Sequence, residues 1–157
     1  VRANIAYANL SASDELIKRA CDFAAATDFI ESLPQSYETI IGENGIRLSG
    51  GQKQRISIAR AIIKNPQILI FDDCLSAVDT ETEDKILNNL AKVSEVKTTI
   101  IVSHRISSVK NADKIIVIDN GHVIQKGTHN TLINIDGYYK NLYLKQLSEA
   151  SNTNLED

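Results

Sequence analysis

Residues Leu48 to Asp79 put a glycine pair, a helix-start signal, an apolar strand signal and two adjacent carboxylates in one unbroken run. Few topologies satisfy all four. In Leu48-Ser49-Gly50-Gly51-Gln52 the glycines let the backbone approach a ligand where a Cβ would block it. Ser49 followed three residues later by Gln52 is the Ser-x-x-Gln form of a capping box, so a helix is expected to begin here. It should run to Lys64, with Ile56, Ala59 and Ile63 on one face, and stop before Asn65-Pro66. The free N–H groups and positive dipole end of such a helix form an anion site. Ile68-Leu69-Ile70-Phe71 is too short for a helix and does not alternate, which predicts a parallel strand covered on both faces. It ends in Asp72-Asp73, where open α/β sheets bind ligands and where an Asp commonly holds a phosphate-bound Mg²⁺. Taken singly, Ser-Gly-Gly-Gln fits a linker and Asp-Asp a solvated turn; in this order they point to a nucleotide site.

The remaining segments read as an alternation of helix and strand. Ser11 or Ser13 can cap a helix from Asp14 to about Ala26 with Leu16, Ala20, Phe23, Ala24 and Thr27 in one stripe. A short helix from Asp28 ends at Leu33-Pro34, and a polar loop with Gly42 and Gly45 leads to Leu48. Thr80 and Glu83 form a second expected capping box, ahead of a helix with Ile86, Leu87, Leu90 and Val93 on one face. Buried strands follow at Thr98–Val102 and Lys114–Ile118, and Asp119-Asn120-Gly121 turns into a strand at His122–Gln125. A parallel α/β core with an antiparallel edge hairpin is therefore expected. A helix from about Tyr138 to Leu147 should pack Leu142 and Tyr143 on the core, and Ser151–Asp157 reads as a disordered tail.

The joint pattern resembles the nucleotide-binding domain of ATP-binding cassette (ABC) transporters, from about Val1 to about Leu147. Leu48 to Gln52 matches the signature LSGGQ, and Ile68 to Asp72 matches Walker B. Ser76-Ala77-Val78-Asp79 is similar to the D-loop, with Val where Leu is commoner, and Ile101-Val102-Ser103-His104-Arg105 to the H-loop with its switch histidine. Gly42-Glu43-Asn44-Gly45 is similar to the X-loop segment that touches the membrane domains in exporters; the stretches from Asn111 to Leu132 and from Gly137 to Tyr143 also look exporter-like. The resemblance implies a P-loop NTPase (ABC ATPase) core, mainly a parallel sheet with flanking helices, plus a helical signature subdomain. On that template residues 1–65 form the signature subdomain, 66–147 the C-terminal part of the RecA-like core, and 148–157 a disordered tail.

Site roles follow from the same resemblance. Asp72 holds Mg²⁺, Asp73 positions or deprotonates the attacking water, and His104 contacts the γ-phosphate. Leu48, Ser49, Gly50, Gly51 and Gln52 meet ATP bound by a partner domain, and Asp79 lies at the dimer seam. The implied partners are a second nucleotide-binding domain, the same or different, and transmembrane domains near Gly42–Gly45, which puts the chain at the cytoplasmic face of the membrane. Asp73 departs from the family's commonest residue, Glu. His122 and His129 are read as structural.

Composition trims the alternatives. With 157 residues and 43% hydrophobic content, one core is expected and hardly two. Seventeen dispersed basic residues at net charge −3, with 5% aromatics, argue against nucleic-acid binding. Cys21 and Cys74 stand apart from any His or Cys cluster, which fits neither a disulfide framework nor a zinc site. The seven glycines include no G-x-x-x-x-G-K-[ST]. With Val at position 1 and no Met in the chain, a C-terminal portion of a longer domain is expected, inactive by itself. Two alternatives keep part of this pattern: a soluble ABC-type ATPase of DNA repair or the ribosome, and a non-catalytic binding module. Coiled coils flanking the signature, or tandem cassettes with basic linkers, would mark the former, and neither feature is in this sequence.

Overall fold

The computed structural model describes residues 1–43, 45–94 and 97–153. It forms two compact units, Val1–Val102 and Ser103–Asp157. They divide the chain elsewhere than the 65/66 boundary that the motifs suggest, because residues on both sides of position 65 share one core.

In the first unit, α1 (Arg2–Ala6), α2 (Asp14–Phe23) and α3 (Thr27–Glu31) precede a 3₁₀ turn at Ser36–Glu38 and the long helix α4 (Gly50–Ile62). Strand β1 (Ile68–Asp72), helix α5 (Thr80–Ser94) and strand β2 (Thr98–Val102) follow. Ser13, not Ser11, caps α2 by accepting the Leu16 N–H. Ala20 and Ala24 of the expected stripe are buried, but beside them it is Ile17 and Cys21 that are fully buried, while Leu16 and Phe23 pack at the edge. Ile30 of α3, Ile56, Ile58 and Ala59 of α4, Leu69 and Phe71 of β1 and Ile86 and Leu90 of α5 join the same core. The side chain of Val93, expected in the α5 stripe, lies outside the described residues.

β1 and β2 run parallel, with Ile68 opposite Thr98 and Asp72 opposite Val102. Burial on both faces, expected from the apolar run, is found on one. Leu69 and Phe71 are buried, whereas Ile68 and Ile70 are 59% and 66% exposed, and Ile100 and Val102 of β2 are also exposed. Among the described residues the sheet has these two strands, and its second face carries no helix layer to cover it.

The second unit contains α6 (Ile106–Val109), the hairpin β3 (Ile115–Asp119) and β4 (His122–Gly127), α7 (His129–Leu132) and α8 (Tyr138–Thr153). Asn120 and Gly121 both have positive φ, 48° and 77°, as a two-residue type I′ turn requires. Ile106, Ile115, Leu132 and Tyr139 form its core, with Leu142 and Tyr143 packed against it as expected. His129 is structural: its Nδ1 lies 2.9 Å from the Tyr139 hydroxyl and its ring meets Tyr143 edge-on. Helix α8 extends past the expected end at Leu147 to Thr153, so residues 148–153 are not a disordered tail; 154–157 lie outside the described residues. Among the described residues no helix is long and apolar enough to cross a membrane.

Helix α2 closes in a Schellman pattern, with the Ala26 N–H on Cys21 O at 2.8 Å and the Ala25 N–H on Asp22 O at 3.1 Å. The left-handed residue, usually glycine, is Ala25 at φ 50°. An L-residue there costs about 1–2 kcal/mol. Ala25→Gly is therefore expected to stabilise the first unit by about 0.5–1 kcal/mol after the entropy cost of glycine, read as a higher urea midpoint at unchanged m-value.

Candidate functional site

The N-terminus of α4 is built as the sequence requires. Ser49 sits in extended backbone at φ −63° and ψ 166°, and both halves of the capping box form. Its Oγ accepts the Gln52 N–H at 3.2 Å, and Gln52 Oε1 accepts the Ser49 N–H at 3.0 Å. Leu48 is buried and anchors the approach to the helix. Ser49 and Gly50 are exposed, so the positive end of a 13-residue helix is open to an anion.

The two glycines face the protein as well as solvent. A Cβ on Gly51 would lie 2.5 Å from the carbonyl oxygen of Ala77, and one on Gly50 would lie 3.2 Å from the Ala77 Cβ. The first turn of α4 thus rests on the loop that follows β1. In that loop Asp73 has φ 46°, left-handed backbone for a non-glycine residue. Its conformation is held from both sides. The Asp73 N–H donates to Val102 O at 2.9 Å, continuing the β1–β2 ladder. The Asp73 carbonyl accepts from Ser76 Oγ at 3.0 Å and from Gln54 Nε2 at 3.3 Å. Hydrogen bonds each contributing about 1 kcal/mol net are enough to offset a left-handed residue costing about 1–2 kcal/mol. The carboxylates of Asp72 and Asp73 are exposed at the C-terminal end of the strand.

Asp79 has a structural task that the sequence assigns to Thr80. Asp79 Oδ1 accepts the Thr82 N–H at 2.9 Å and so caps α5; hydrogen bonds from Thr82 hold its carboxyl below the usual range. Asp79, one residue before Thr80, thus occupies the cap of α5, and Glu83 is buried. Cys74, beside the two carboxylates, is half-buried, and burial pushes its thiol up to about 11, a backbone hydrogen bond opposing the rise and the Asp73 and Asp72 charges adding to it. It is a neutral thiol at physiological pH, not a nucleophile.

His104 is the second residue of the second unit and is exposed. Its carbonyl accepts from Gln146 Nε2 at 2.8 Å, while Gln146 Oε1 accepts the Ile106 N–H at 2.9 Å. One side chain of α8 thereby fixes the backbone on both sides of Arg105. The structure thus gathers Leu48, Ser49, Gly50, Gly51, Gln52, Asp72, Asp73 and Asp79 in the first unit, with His104 in the second. Sequence reasoning missed Gln54 and Gln146. Their bonds reach 19 to 23 and 40 to 42 residues along the chain, and the one available signal was the nearness of Gln54 to the capping box.

Gly42 (φ 119°) and Gly45 lie in a loop closed by a bridge between Ile41 and Ile46; Asn44 lies outside the described residues. The loop lines a cleft of about 470 Å³ together with Arg47, Lys53 and Arg60. Among the described residues no group of three or more His, Cys, Asp or Glu could cage a metal ion. Asp72, an exposed carboxylate at the end of β1, has the chemistry that suits a cation keeping most of its water, as Mg²⁺ does.

Comparison with known proteins specifies this α/β architecture. Residues 3–76 match the family model described as ABC transporter. Proteins named multidrug export ATP-binding/permease protein from Staphylococcus aureus are 50% identical over 143 residues in strains NCTC 8325 / PS 47 and COL, covering 91% of this chain. The solved structure of a bacterial Atm1-family ABC exporter with ATP bound superposes with a TM-score of 0.86 at 45% identity, over 91% of this chain. Over these matches the chain is similar to ABC transporters. It spans 25% of the length of these curated relatives and of the solved exporter chain.

Gly51→Ala should destabilise the first unit by about 1–3 kcal/mol through overpacking against the Ala77 carbonyl, and Gly50→Ala by under about 1 kcal/mol. Urea denaturation of the pair checks the order; equal losses would contradict the packing described.

Proposed function

We propose that the chain is the C-terminal part of the ATP-binding cassette of an exporter, in which ATP binding and hydrolysis between two cassettes power transport across a membrane. The observation that carries this reading is the open, fully capped N-terminus of α4 resting on the loop that presents Asp72 and Asp73. Similarity over 91% of the chain to proteins named as export ATP-binding/permease proteins supports it.

In this reading the helix N-terminus at Ser49, Gly50 and Gly51 binds the γ-phosphate of ATP held by the partner cassette, with Leu48 and Gln52 fixing the turn. Asp72 would hold Mg²⁺, largely through water; the bound ion neutralises phosphate charge. Asp73 orients the water that attacks the γ-phosphorus and accepts its proton, and His104 donates a hydrogen bond to a γ-phosphate oxygen. Asp79 faces the seam between cassettes. Transmembrane domains dock near Gly42–Gly45, which puts the cassette at the cytoplasmic face. The 157 residues contain no P-loop motif, so by themselves they are expected neither to bind ATP tightly nor to hydrolyse it.

In the longer exporter, Ser49→Arg is expected to lower ATP hydrolysis by about 100-fold or more, because it fills the anion site. ATP binding to the mutated subunit's own P-loop should stay near normal; its loss there would refute the assignment in trans. Asp73 places its carboxylate roughly 1.5 Å short of a glutamate's, and misplacement of about 1 Å costs on the order of 10²-fold in rate. The Asp73 site is therefore a weak one, paired with a different cassette whose own carboxylate works opposite Ser49–Gln52. Asp73→Glu should raise turnover and Asp73→Asn should leave it largely intact. Complete loss in Asp73→Asn would instead make Asp73 the working base.

A further inference from the structure

The side chain of Gln54 occupies an unusual position. It lies on the second turn of α4, half-buried, and uses both ends of its amide on one loop. Nε2 donates to Ser76 Oγ at 3.0 Å and to the Asp73 carbonyl at 3.3 Å, while Oε1 accepts the Ala77 N–H at 3.0 Å. The loop it spans contains the left-handed Asp73 and the Ala77 carbonyl against which Gly51 packs. A glutamine is the one natural side chain of this length with a donor and an acceptor on the same terminal carbon. Glutamate would keep the acceptor for Ala77 but turn a carboxylate oxygen towards the Asp73 carbonyl. Asparagine would fall roughly 1.5 Å short.

We propose that Gln54 is the positioning residue that holds Asp73 and the Ser76–Asp79 segment in fixed register with the phosphate-facing end of α4. Its place is structural, its effect catalytic. Asp73 keeps its left-handed backbone because its carbonyl is bonded, and Gln54 supplies one of those bonds, from α4. Movement at Ser49–Gly51 is thereby transmitted to Asp73 and Asp79 through one amide group. The inference rests on the exporter reading for its catalytic part and on the hydrogen bonds alone for its positioning part.

The test uses the full-length exporter in membranes or nanodiscs, with Gln54→Glu and the apolar Gln54→Leu. Turnover should fall about 10-fold in Gln54→Glu and about 100-fold in Gln54→Leu, through lost register at the phosphate-facing end of α4 and the Ser76–Asp79 segment, since the weak Asp73 site itself contributes little, with the KM for ATP within about 2-fold of wild type. Melting temperatures should change by no more than about 3 °C. Amide exchange of peptides covering 73–79 should speed up in the same order, and peptides from α2 should not change. Wild-type turnover in Gln54→Leu, or loss of turnover that merely follows loss of ATP affinity or of melting temperature, overturns the proposal; if Gln54→Leu does not fold, Gln54→Glu decides on the same criteria. Absence of hydrolysis in the wild-type protein overturns the exporter reading and the catalytic role with it, whereas unchanged exchange at 73–79 overturns the positioning role whatever the wild-type activity.

Discussion

The approach of the first turn of α4 to the Ala77 carbonyl is the constraint on which the site depends. A Cβ at Gly51 would stand 2.5 Å from that oxygen, closer than real contacts allow. Glycine is needed at this place for space, since its φ is not in the left-handed region. Two backbone segments 26 residues apart in sequence, Gly51 and Ala77, thus meet without an intervening side chain. A close-packed contact of this kind is stiff, because no rotamer change can relieve it. A displacement of the helix N-terminus must therefore move the loop carrying Asp73 and Asp79, or break the contact.

Strain marks the site only when read together with what holds it. Ala25 and Asp73 have nearly the same φ, 50° and 46°. At Ala25 the left-handed residue ends a helix, and its carbonyl accepts from Arg55 Nη1 at 2.8 Å. Arg55 also lies over the Phe29 ring at 4.6 Å, and its burial lowers its proton affinity, partly offset by Asp79 and Asp28. That cluster is packing: it ties α4 to the α2–α3 turn. At Asp73 the same backbone conformation stands at the end of a parallel strand, with an exposed carboxylate. The φ value is common to both places, but the exposed, ionisable side chain is found at one.

Local chemistry was legible in the sequence, and long-range hydrogen bonding was not. Ser49 and Gln52 announced the capping box because both partners lie within one helical turn. Asn120-Gly121 announced its turn because two adjacent residues must accept positive φ. The start of α5 was ambiguous at short range: Thr80 with Glu83 and Asp79 with Thr82 are both valid patterns, and the structure selected Asp79 by one residue. The α2 stripe held at Ala20 and Ala24 but not at Leu16, because Leu16 and Ile17 are similarly apolar and only the neighbours decide which faces inward. Gln146 carried no local signal and Gln54 only its nearness to the capping box, since glutamine is an ordinary helix residue and their partners lie on other elements.

The apolar run of β1 contains more instruction than the two-stranded sheet uses. Continuous aliphatic strands are characteristic of sheets covered on both faces. Here Leu69 and Phe71 meet the helical core, while Ile68, Ile70, Ile100 and Val102 share an exposed face. Burying an aliphatic side chain of this size is worth about 1.5–3 kcal/mol, so four of them represent a driving force comparable with the whole stability of a small domain. A two-stranded sheet is at best marginal without cover. The sheet that presents Asp72 and Asp73 is therefore supported from one side by α-helical packing and held at its end by the Asp73–Val102 hydrogen bond. The position of the carboxylates then depends less on the sheet itself than on the helix and loop locked beside it.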